Sequence, residues 1–369
     1  MEKLDPRALT ILSRLEQAGH QAVLVGGCVR DLLLGRHVHD YDIATSALPE
    51  QVCALFSHTV PTGLRHGTVT VLLDGGSYEL TTFRTEGAYL DHRRPEAVQY
   101  VQDLSEDLSR RDFTINAMAM DRHGVVTDLF QGQADLQAGL IRCVGDPDLR
   151  FSEDALRMLR AVRFSAQLDF RIESRTLASA QVLASTCAAL SAERVRDEME
   201  KTLLSSHPEA IGQMMDLGLL AHLGLREHPE LSPLSSVPPE RLARWAMAKR
   251  LLPQLDLTAL RLDKKAARLC EAAAALTDMD TLLACKQAIA EKGWEAARLA
   301  AVLNGQLPRV EEIAASGDCV TIPQLAVRGN ELPGLSGPEV AQTLHRLLQH
   351  VLEHPEDNQK ERLLALLKK

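Results

Sequence analysis

The pattern of hydrophobic and polar positions divides the chain into two parts. The first third mixes strand and turn signals with short helices, and the remainder is almost entirely helical in pattern. Residues 21–25 (QAVLV) form a short apolar run that stops at Gly26 and Gly27, which is typical of a buried strand. A helix-like segment, CVRDLLLG, and a second extended stretch, YDIAT, come next. The N-terminal third is therefore predicted to contain strands connected by short helices.

A β-hairpin is predicted further along the same region. Residues 68–73 and 78–83 flank the sequence Asp74-Gly75-Gly76-Ser77, and glycine tolerates the positive φ angles that tight hairpin turns require. Together with the earlier strands, this hairpin predicts a mixed β-sheet with helices packed on it.

Helical windows follow one another from Ser152 onward: SEDALRMLRAVRF, RTLASAQVLASTCAAL and ERVRDEMEKTLL. Breaks containing proline and serine occur at residues 231–239 and at Ile322-Pro323. The C-terminal segment from residue 342 predicts two helices interrupted at His354-Pro355. We therefore expect an α+β protein, with a sheet-bearing N-terminal head and an all-α remainder.

Composition limits the class of protein. The 369 residues exceed one ordinary domain, and 45% hydrophobic with 25% charged residues is typical of globular chains. No apolar run approaches the roughly 20 residues of a membrane-spanning helix, and the N-terminus has no signal-peptide core, so we expect a cytoplasmic protein without a membrane partner. The seven cysteines are scattered and never spaced as CxxC, which argues against a disulfide framework and a zinc cluster.

The net charge of −9 gives no global sign of a nucleic-acid partner. Any bound RNA would have to use a local basic surface. Arginines do cluster between Arg84 and Arg163, although such charges commonly form solvated, salt-bridged faces. Charge alone leaves both interpretations open.

A glycine pair and two aspartates form the first candidate site. Asp40 and Asp42 are two apart in a predicted strand, so both side chains are expected on one face, where a divalent cation would hold both carboxylates ionised. The glycines, at Gly26 and Gly27, would let backbone N–H groups approach a phosphate. Glu79 on the hairpin could add a third carboxylate, and a solvent-facing strand glutamate is an equally good interpretation.

The second candidate site lies on a helix predicted to begin at Ser152, a good N-cap residue. Asp154 and Arg157 would then be neighbours on one helix face, followed by Arg160, with Arg163 further around the helix. Without other signals, an Asp and Arg at this spacing form an ordinary surface ion pair.

These motifs resemble those of class II tRNA nucleotidyltransferases, the bacterial CCA-adding and poly(A) polymerase family. Residues 26–35 (GGCVRDLLLG) with residues 40–45 (DYDIAT) resemble the family's metal-binding motif. Residues 110–117 (RRDFTINA) resemble its ribose-binding motif, and residues 153–157 (EDALR) its nucleotide-selecting motif. The segment 193–201 is similar to the helix that closes the family's neck.

The resemblance implies four regions. They are a catalytic head at 1–148, a base-selecting neck at 149–205, and a body at 206–310 and a tail at 311–369 that hold tRNA. It also implies a two-metal site of magnesium ions (Mg2+) on Asp40 and Asp42. Glu79 is retained beside them as a candidate catalytic carboxylate because of its position on the hairpin.

The implied nucleotide contacts extend over head and neck. Phosphates would be held by Gly27, Arg30 and Arg111, the ribose would lie near Asp112 and Asn116, and the base would be read by Asp154 with Arg157. Arg160 and Arg163 would either assist with phosphate or orient these base readers. The implied reaction transfers CMP and AMP from CTP and ATP to the 3′ end of tRNA and releases pyrophosphate. An enzyme that adds only A and a bacterial poly(A) polymerase remain alternatives.

A polar, glycine-containing segment, FRTEGAYLDHRRP at residues 83–95, has two interpretations. It is either an ordinary exposed loop or, as the resemblance implies, the loop that the family needs to switch from cytidine to adenosine. The second interpretation predicts addition of CCA, or of A alone.

Overall fold

The structure is a computed structural model that describes residues 4–63, 67–86, 98–332 and 334–368. The chain forms two compact units, Met1–Thr202 with Ala210–His222, and Leu203–Glu209 with Leu223–Lys369. The first unit carries the β-sheet, and the second is helical. The α+β prediction is therefore confirmed, with a mixed sheet near the N-terminus and helices making up 56% of the structure.

The strands of the first unit belong to one large mixed sheet and two small ones. They are β1 (Ala22–Val25), β2 (Asp42–Thr45), β3 (Thr59–Gly63), β4 (Thr68–Leu73), β5 (Gly76–Thr82), β6 (Arg84–Glu86), β7 (Val98–Tyr100), β8 (Met118–Met120), β9 (Val126–Asp128), β10 (Leu140–Ile141) and β11 (Arg171–Ile172). Within the described residues, the large sheet has the order β3-β4-β5-β2-β1-β8-β9, and its β2–β5 pair is parallel while its other pairs are antiparallel.

Several helices of the first unit pack against this sheet, and further helices follow along the chain. They are α1 (Pro6–Gln17), α2 (Gly27–Leu33), α3 (Pro49–Leu55), α4 (Leu104–Ser109), α5 (Gly132–Gln137), α6 (Pro147–Glu153), α7 (Leu156–Leu168), α8 (Ser174–Leu183), α9 (Ala192–Leu203) and α10 (Ile211–Asp216). Buried apolar residues of β1, β2 and β8 pack against Leu104 and Leu108 of α4, which fixes α4 against the sheet.

The predicted hairpin is confirmed, with a tighter turn than expected. Leu73 pairs directly with Gly76, so the turn consists of Asp74 and Gly75 alone. Both residues have positive φ, 47° and 75°, the combination that a two-residue turn of type I′ requires and that an Asp-Gly sequence favours.

The second unit is a helical assembly. Its helices are α11 (Pro233–Ser236), α12 (Arg241–Leu251), α13 (Lys264–Ala275), α14 (Leu282–Leu303), α15 (Leu307–Ser316), α16 (Pro338–Glu353) and α17 (Lys360–Ala365). The break predicted at His354-Pro355 is confirmed between α16 and α17. Within the described ranges, no helix combines the length and apolar character needed to cross a bilayer.

Candidate active site

Gly26 brings the end of β1 close to two charged side chains. Its φ is +75°, in the left-handed region that glycine adopts readily. A Cβ atom at this position would lie 3.0 Å from Arg111 Nη1 and 3.6 Å from Asp42 Oδ2. A side chain here would therefore push Arg111 away from the strand, and glycine permits the approach. Gly27 is the first residue of α2, which therefore begins one residue before the predicted helix-like segment.

The carboxylates cluster at the start of β2. Asp42 is the first residue of that strand and lies beside Glu79 in the parallel β2–β5 register. Asp40 lies in the preceding loop, so the expectation that both aspartates belong to one strand is wrong. The prediction applied the alternation of strand side chains to Asp40, whereas the strand begins at Asp42. Burial raises the pKa of Asp42 to about 6; Arg111 opposes this shift, and the neighbouring Glu79 and Asp40 carboxylates reinforce it.

These carboxylates fit the chemistry of a hard divalent cation. Oxygen ligands suit Mg²⁺, which commonly keeps several waters and takes one or two protein carboxylates together with substrate phosphates. Within the described residues, no group of three or more His, Cys, Asp and Glu side chains is arranged to hold a metal ion.

The residues around Arg111 connect the carboxylates to a basic surface. Asp107, on α4 and fully buried, accepts hydrogen bonds from Arg110 Nη2 at 2.7 Å and from Arg111 Nη2 at 3.1 Å. This double ion pair fixes both arginines at the end of α4. Arg111, held in place by Asp107, therefore lies close to Asp42.

A second network of hydrogen bonds involves Asp112 and Asn116, the residues predicted to lie near the ribose. Asp112 is buried; its Oδ1 accepts from Asn116 Nδ2 at 3.3 Å, and its Oδ2 accepts from Arg160 Nε at 2.8 Å. Burial raises the pKa of Asp112, but Arg160 and Asn116 outweigh that effect and lower it to about 2. Asn116 Oδ1 in turn accepts from Arg30 Nη1 at 2.9 Å. These contacts make Asp112 an ionised anchor for Arg160.

The predicted helix beginning at Ser152 is wrong, and the difference affects the candidate base readers. Asp146 caps a helix that starts earlier, at Pro147, so Ser152 lies inside α6. The chain then becomes extended at Asp154, with φ −141° and ψ 106°, before α7 begins. Asp154 and Arg157 are therefore not neighbours on one helix face.

The two side chains have different partners instead. Asp154 accepts from Arg194 Nη2 at 2.7 Å and from the Leu156 backbone N–H at 3.0 Å. Arg157 is buried; it donates to the Arg150 and Arg110 carbonyls at 2.9 and 3.2 Å and pairs with Glu153. The fold therefore does not form the Asp154–Arg157 surface ion pair that the simple structural interpretation predicts.

These groups nevertheless converge on one pocket of about 250 Å³, which we call the nucleotide pocket. Its lining residues come from the end of α4, the α6–α7 break, α7 and α9: Arg110, Arg111, Asp112, Asp154, Leu156, Arg157, Arg160 and Arg194. Five predicted site residues are thus brought together. Gly27, Arg30, Asn116, Asp40, Asp42 and Glu79 are not among the lining residues.

Arg110 and Arg194 line the pocket and were not predicted as site residues. Arg110 adjoins Arg111 in the motif, a signal that could have indicated it. Arg194 comes from α9, forty residues beyond the carboxylate that it binds, and no local pattern indicates that pairing.

Arg163 is placed away from the nucleotide pocket. Its Nη1 lies 3.0 Å from Glu198 Oε2, and both side chains are buried. Burial lowers the pKa of Arg163 to about 10, with Glu198 opposing that shift. Its surroundings indicate a role in joining α7 to α9. Residues 87–95 of the predicted adenosine-switching segment lie outside the described residues.

Comparison with known proteins places this geometry in a class. Residues 22–142 match the family model of the Poly A polymerase head domain, and residues 169–234 match that of the probable RNA and SrmB-binding site of polymerase A. The fold and site therefore define a protein built on a polymerase head of this class, whose members generally use divalent metal ions.

Similarity to individual proteins identifies the family within this class. The chain is 40% identical to the CCA-adding enzyme of Geobacillus kaustophilus over 389 aligned positions, covering 98% of this chain and 96% of that protein. It is 56% identical to the CCA-adding enzyme of Lactobacillus helveticus over 201 residues, 54% of this chain, and spans about half (50%) of that relative's length. The Bacillus stearothermophilus CCA-adding enzyme, solved in complex with CTP, matches with a TM-score of 0.82 at 35% identity, covering 99% and 98% of the two chains. The chain belongs to the CCA-adding enzyme family.

Proposed function

We propose that this protein transfers CMP and AMP from CTP and ATP to the 3′ end of tRNA, building or repairing the CCA terminus without a template and releasing pyrophosphate, in the cytoplasm. The observation that carries the proposal is the nucleotide pocket, where two carboxylates and five guanidinium groups converge beside the Asp42 cluster. Similarity to CCA-adding enzymes over nearly the whole chain supports the same conclusion.

The pocket has the donors and acceptors needed to choose A and C together. Adenine and cytosine each present an amino donor beside a ring-nitrogen acceptor, whereas guanine and uracil present a carbonyl beside an N–H. Asp154 accepts two protein hydrogen bonds, and a carboxylate has about four acceptor positions, so it retains capacity for a base amino group. The Arg157 guanidinium, immobilised by backbone carbonyls, would donate to the ring nitrogen.

The surrounding charges suit a triphosphate. Arg110 and Arg111 are fixed by the buried Asp107, and Arg160 is fixed by the buried Asp112. Positioned guanidinium groups stabilise charge on phosphoryl groups without reorganising during the reaction. We assign phosphate contacts to Arg111 and Arg160 and place Gly27 and Arg30 behind them as support.

Asp40 and Asp42 would hold magnesium ions (Mg2+) in a two-metal arrangement, with Glu79 as the nearest further carboxylate. Bound cations of this kind activate an attacking hydroxyl and neutralise charge on a departing pyrophosphate. The protein's own contribution is to position the two carboxylates and Arg111 around the point of transfer. We further propose that 149–205 selects the base and that 206–310 and 311–369 bind tRNA.

Three transcripts of one tRNA, lacking one, two or three terminal nucleotides, test the proposal when each is supplied with labelled CTP or ATP. We expect CMP on the transcripts lacking two or three nucleotides and AMP on the transcript lacking one. Incorporation of AMP alone would indicate an A-adding enzyme, and a long A tail would indicate a poly(A) polymerase. Asp42→Asn should abolish every signal, and the matched exposed variant Glu50→Gln should preserve it.

A further inference from the structure

Three arginines of the first unit lie over the ring of one residue, Phe164, that the proposed nucleotide contacts do not include. Phe164 belongs to α7 and is buried. The guanidinium carbons lie 4.1 Å from its ring centroid for Arg163, 5.2 Å for Arg160 and 5.3 Å for Arg30. A guanidinium within about 6 Å of an aromatic face is attracted by the quadrupole of the ring. Each of the three contacts is therefore within the range of a cation–π interaction.

The Phe164 ring is itself held in place. It meets the ring of Phe113 edge to face, with the two centroids 5.9 Å apart and the ring planes at 82°. Phe113 is fully buried, and its backbone N–H donates to Asp112 Oδ1 at 2.8 Å. The arginines therefore pack against a ring whose position the surrounding fold fixes.

Arg160 connects this ring to the nucleotide pocket. Arg160 lies four residues before Phe164, so the two side chains are neighbours on one face of α7. Its Nη2 lies 2.6 Å from Asp112 Oδ2, the side chain is 31% exposed, and it lines the pocket. A guanidinium restrained by both a carboxylate and an aromatic ring loses little further freedom when it binds an anion.

The positive charges around the ring repel one another. Burial is the main cause that lowers the pKa of Arg163, and the nearby Arg160 and Arg30 cations add to that lowering. Carboxylates on neighbouring elements offset part of the repulsion. Arg160 is the most exposed of the three arginines, with 31% against 11% and 7% for the others. If the attraction of the ring were weakened, we therefore expect the Arg160 guanidinium to move first.

We propose that Phe164 is a positioning residue for the incoming nucleoside triphosphate, because its ring holds the Arg160 guanidinium in the orientation that binds the phosphates. This inference rests on the proposed nucleotidyl transfer and deepens the assignment of Arg160 to phosphate. All four nucleotides carry the same phosphates. A weaker ring contact should therefore reduce the affinity for CTP and ATP equally and leave the preference over UTP and GTP unchanged, whereas a role in orienting the base readers would change that preference.

The test replaces Phe164 with phenylalanines that carry one, two or three fluorine atoms, which withdraw electron density from the ring face and change its volume little. Titration calorimetry without RNA measures Kd for CTP and for ATP. Both Kd values should rise with each fluorine, reaching about two- to thirtyfold with three, the range set by the energy of a cation–π contact. The matched control is the same series at Phe56, a buried ring that carries Arg14 at 5.8 Å and does not line the nucleotide pocket. It should leave both Kd values unchanged.

An Arg160→Gln background shows whether the ring acts through this arginine. The trifluorinated ring should cause no further loss of affinity there, because the contact that it weakens is already absent. An equal loss in both backgrounds would overturn the inference, and so would a fluorine series without effect on Kd or a changed preference for CTP over UTP. Phe164→Leu measures the packing contribution: a higher Kd in this variant combined with no effect of fluorine would mean that the ring only fills space.

Thermal unfolding confirms that each variant is folded before Kd is compared. A wild-type protein that binds CTP and extends no tRNA would refute the proposed function, and the fluorine series would still test Phe164.

Discussion

Removal of either proposed base reader, by Asp154→Ala or Arg157→Ala, separates a structural role from nucleotide selection. Asp154 contacts Arg194 at 2.7 Å in a partly exposed pair, and such pairs contribute about 0–1 kcal/mol to stability. If that pair were its whole role, nucleotide choice would not change. Arg157 is buried with carbonyl partners, so its loss should cost on the order of 1–3 kcal/mol of stability.

The effect on selectivity should be larger than the effect on folding. A polar base edge left without its partner in a closed pocket costs about 1–3 kcal/mol, which corresponds to roughly a 5- to 150-fold loss of discrimination. We expect both variants to lose preference for CTP and ATP relative to UTP and GTP. Single-nucleotide incorporation with each of the four triphosphates on one tRNA primer measures this ratio.

The matched control is Arg171→Ala, an exposed arginine of the first unit outside the nucleotide pocket, which should leave the ratio unchanged. Thermal unfolding identifies which variants remain folded. If both folded variants kept wild-type nucleotide selectivity, Asp154 and Arg157 would not be base readers, and their role would be purely structural.

Three further predictions follow from the charges of the first unit. Asp40→Asn and Asp42→Asn should each abolish CTP and ATP incorporation while tRNA binding, measured by filter retention, stays within about twofold; robust incorporation would contradict the metal assignment. Glu198→Gln should destabilise the fold by about 3–5 kcal/mol in urea unfolding, because it leaves buried Arg163 unpaired, whereas Arg163→Met with Glu198→Leu should recover most of that loss. The folded pKa of Asp112 is lowered to about 2, so its carboxylate contributes on the order of 2 kcal/mol of stability above pH 4, and this contribution disappears as the pH falls toward 2. The free energy of unfolding of Asp112→Asn should therefore depend less steeply on pH in that window.

Local patterns in the sequence predicted the parts of the fold that depend on neighbouring residues. The hairpin at Asp74 and Gly75 follows from turn chemistry, and the strand before Gly26 follows from a short apolar run. The helical C-terminal region and its break at His354-Pro355 follow from periodicity and proline. Each of these features needs only a few adjacent residues to specify it.

The site could be predicted only in part, because its geometry depends on contacts between distant segments. Spacing suggested that Asp154 and Arg157 share a helix face, whereas the Asp146 cap moves the helix start and leaves Asp154 extended. Its partner Arg194 is forty residues away. Local propensity carries no information about such a contact, so Arg194 was missed as a pocket residue.

The central claim, that the nucleotide pocket specifies cytosine and adenine without a template, is tested most directly by sequencing products. A tRNA that lacks all three terminal nucleotides is incubated with the protein, Mg²⁺ and equal concentrations of all four triphosphates, and its new 3′ ends are read. The account predicts CCA as the dominant extension, followed by termination. Products containing G or U at rates comparable to C and A, or a run of A alone, would contradict it.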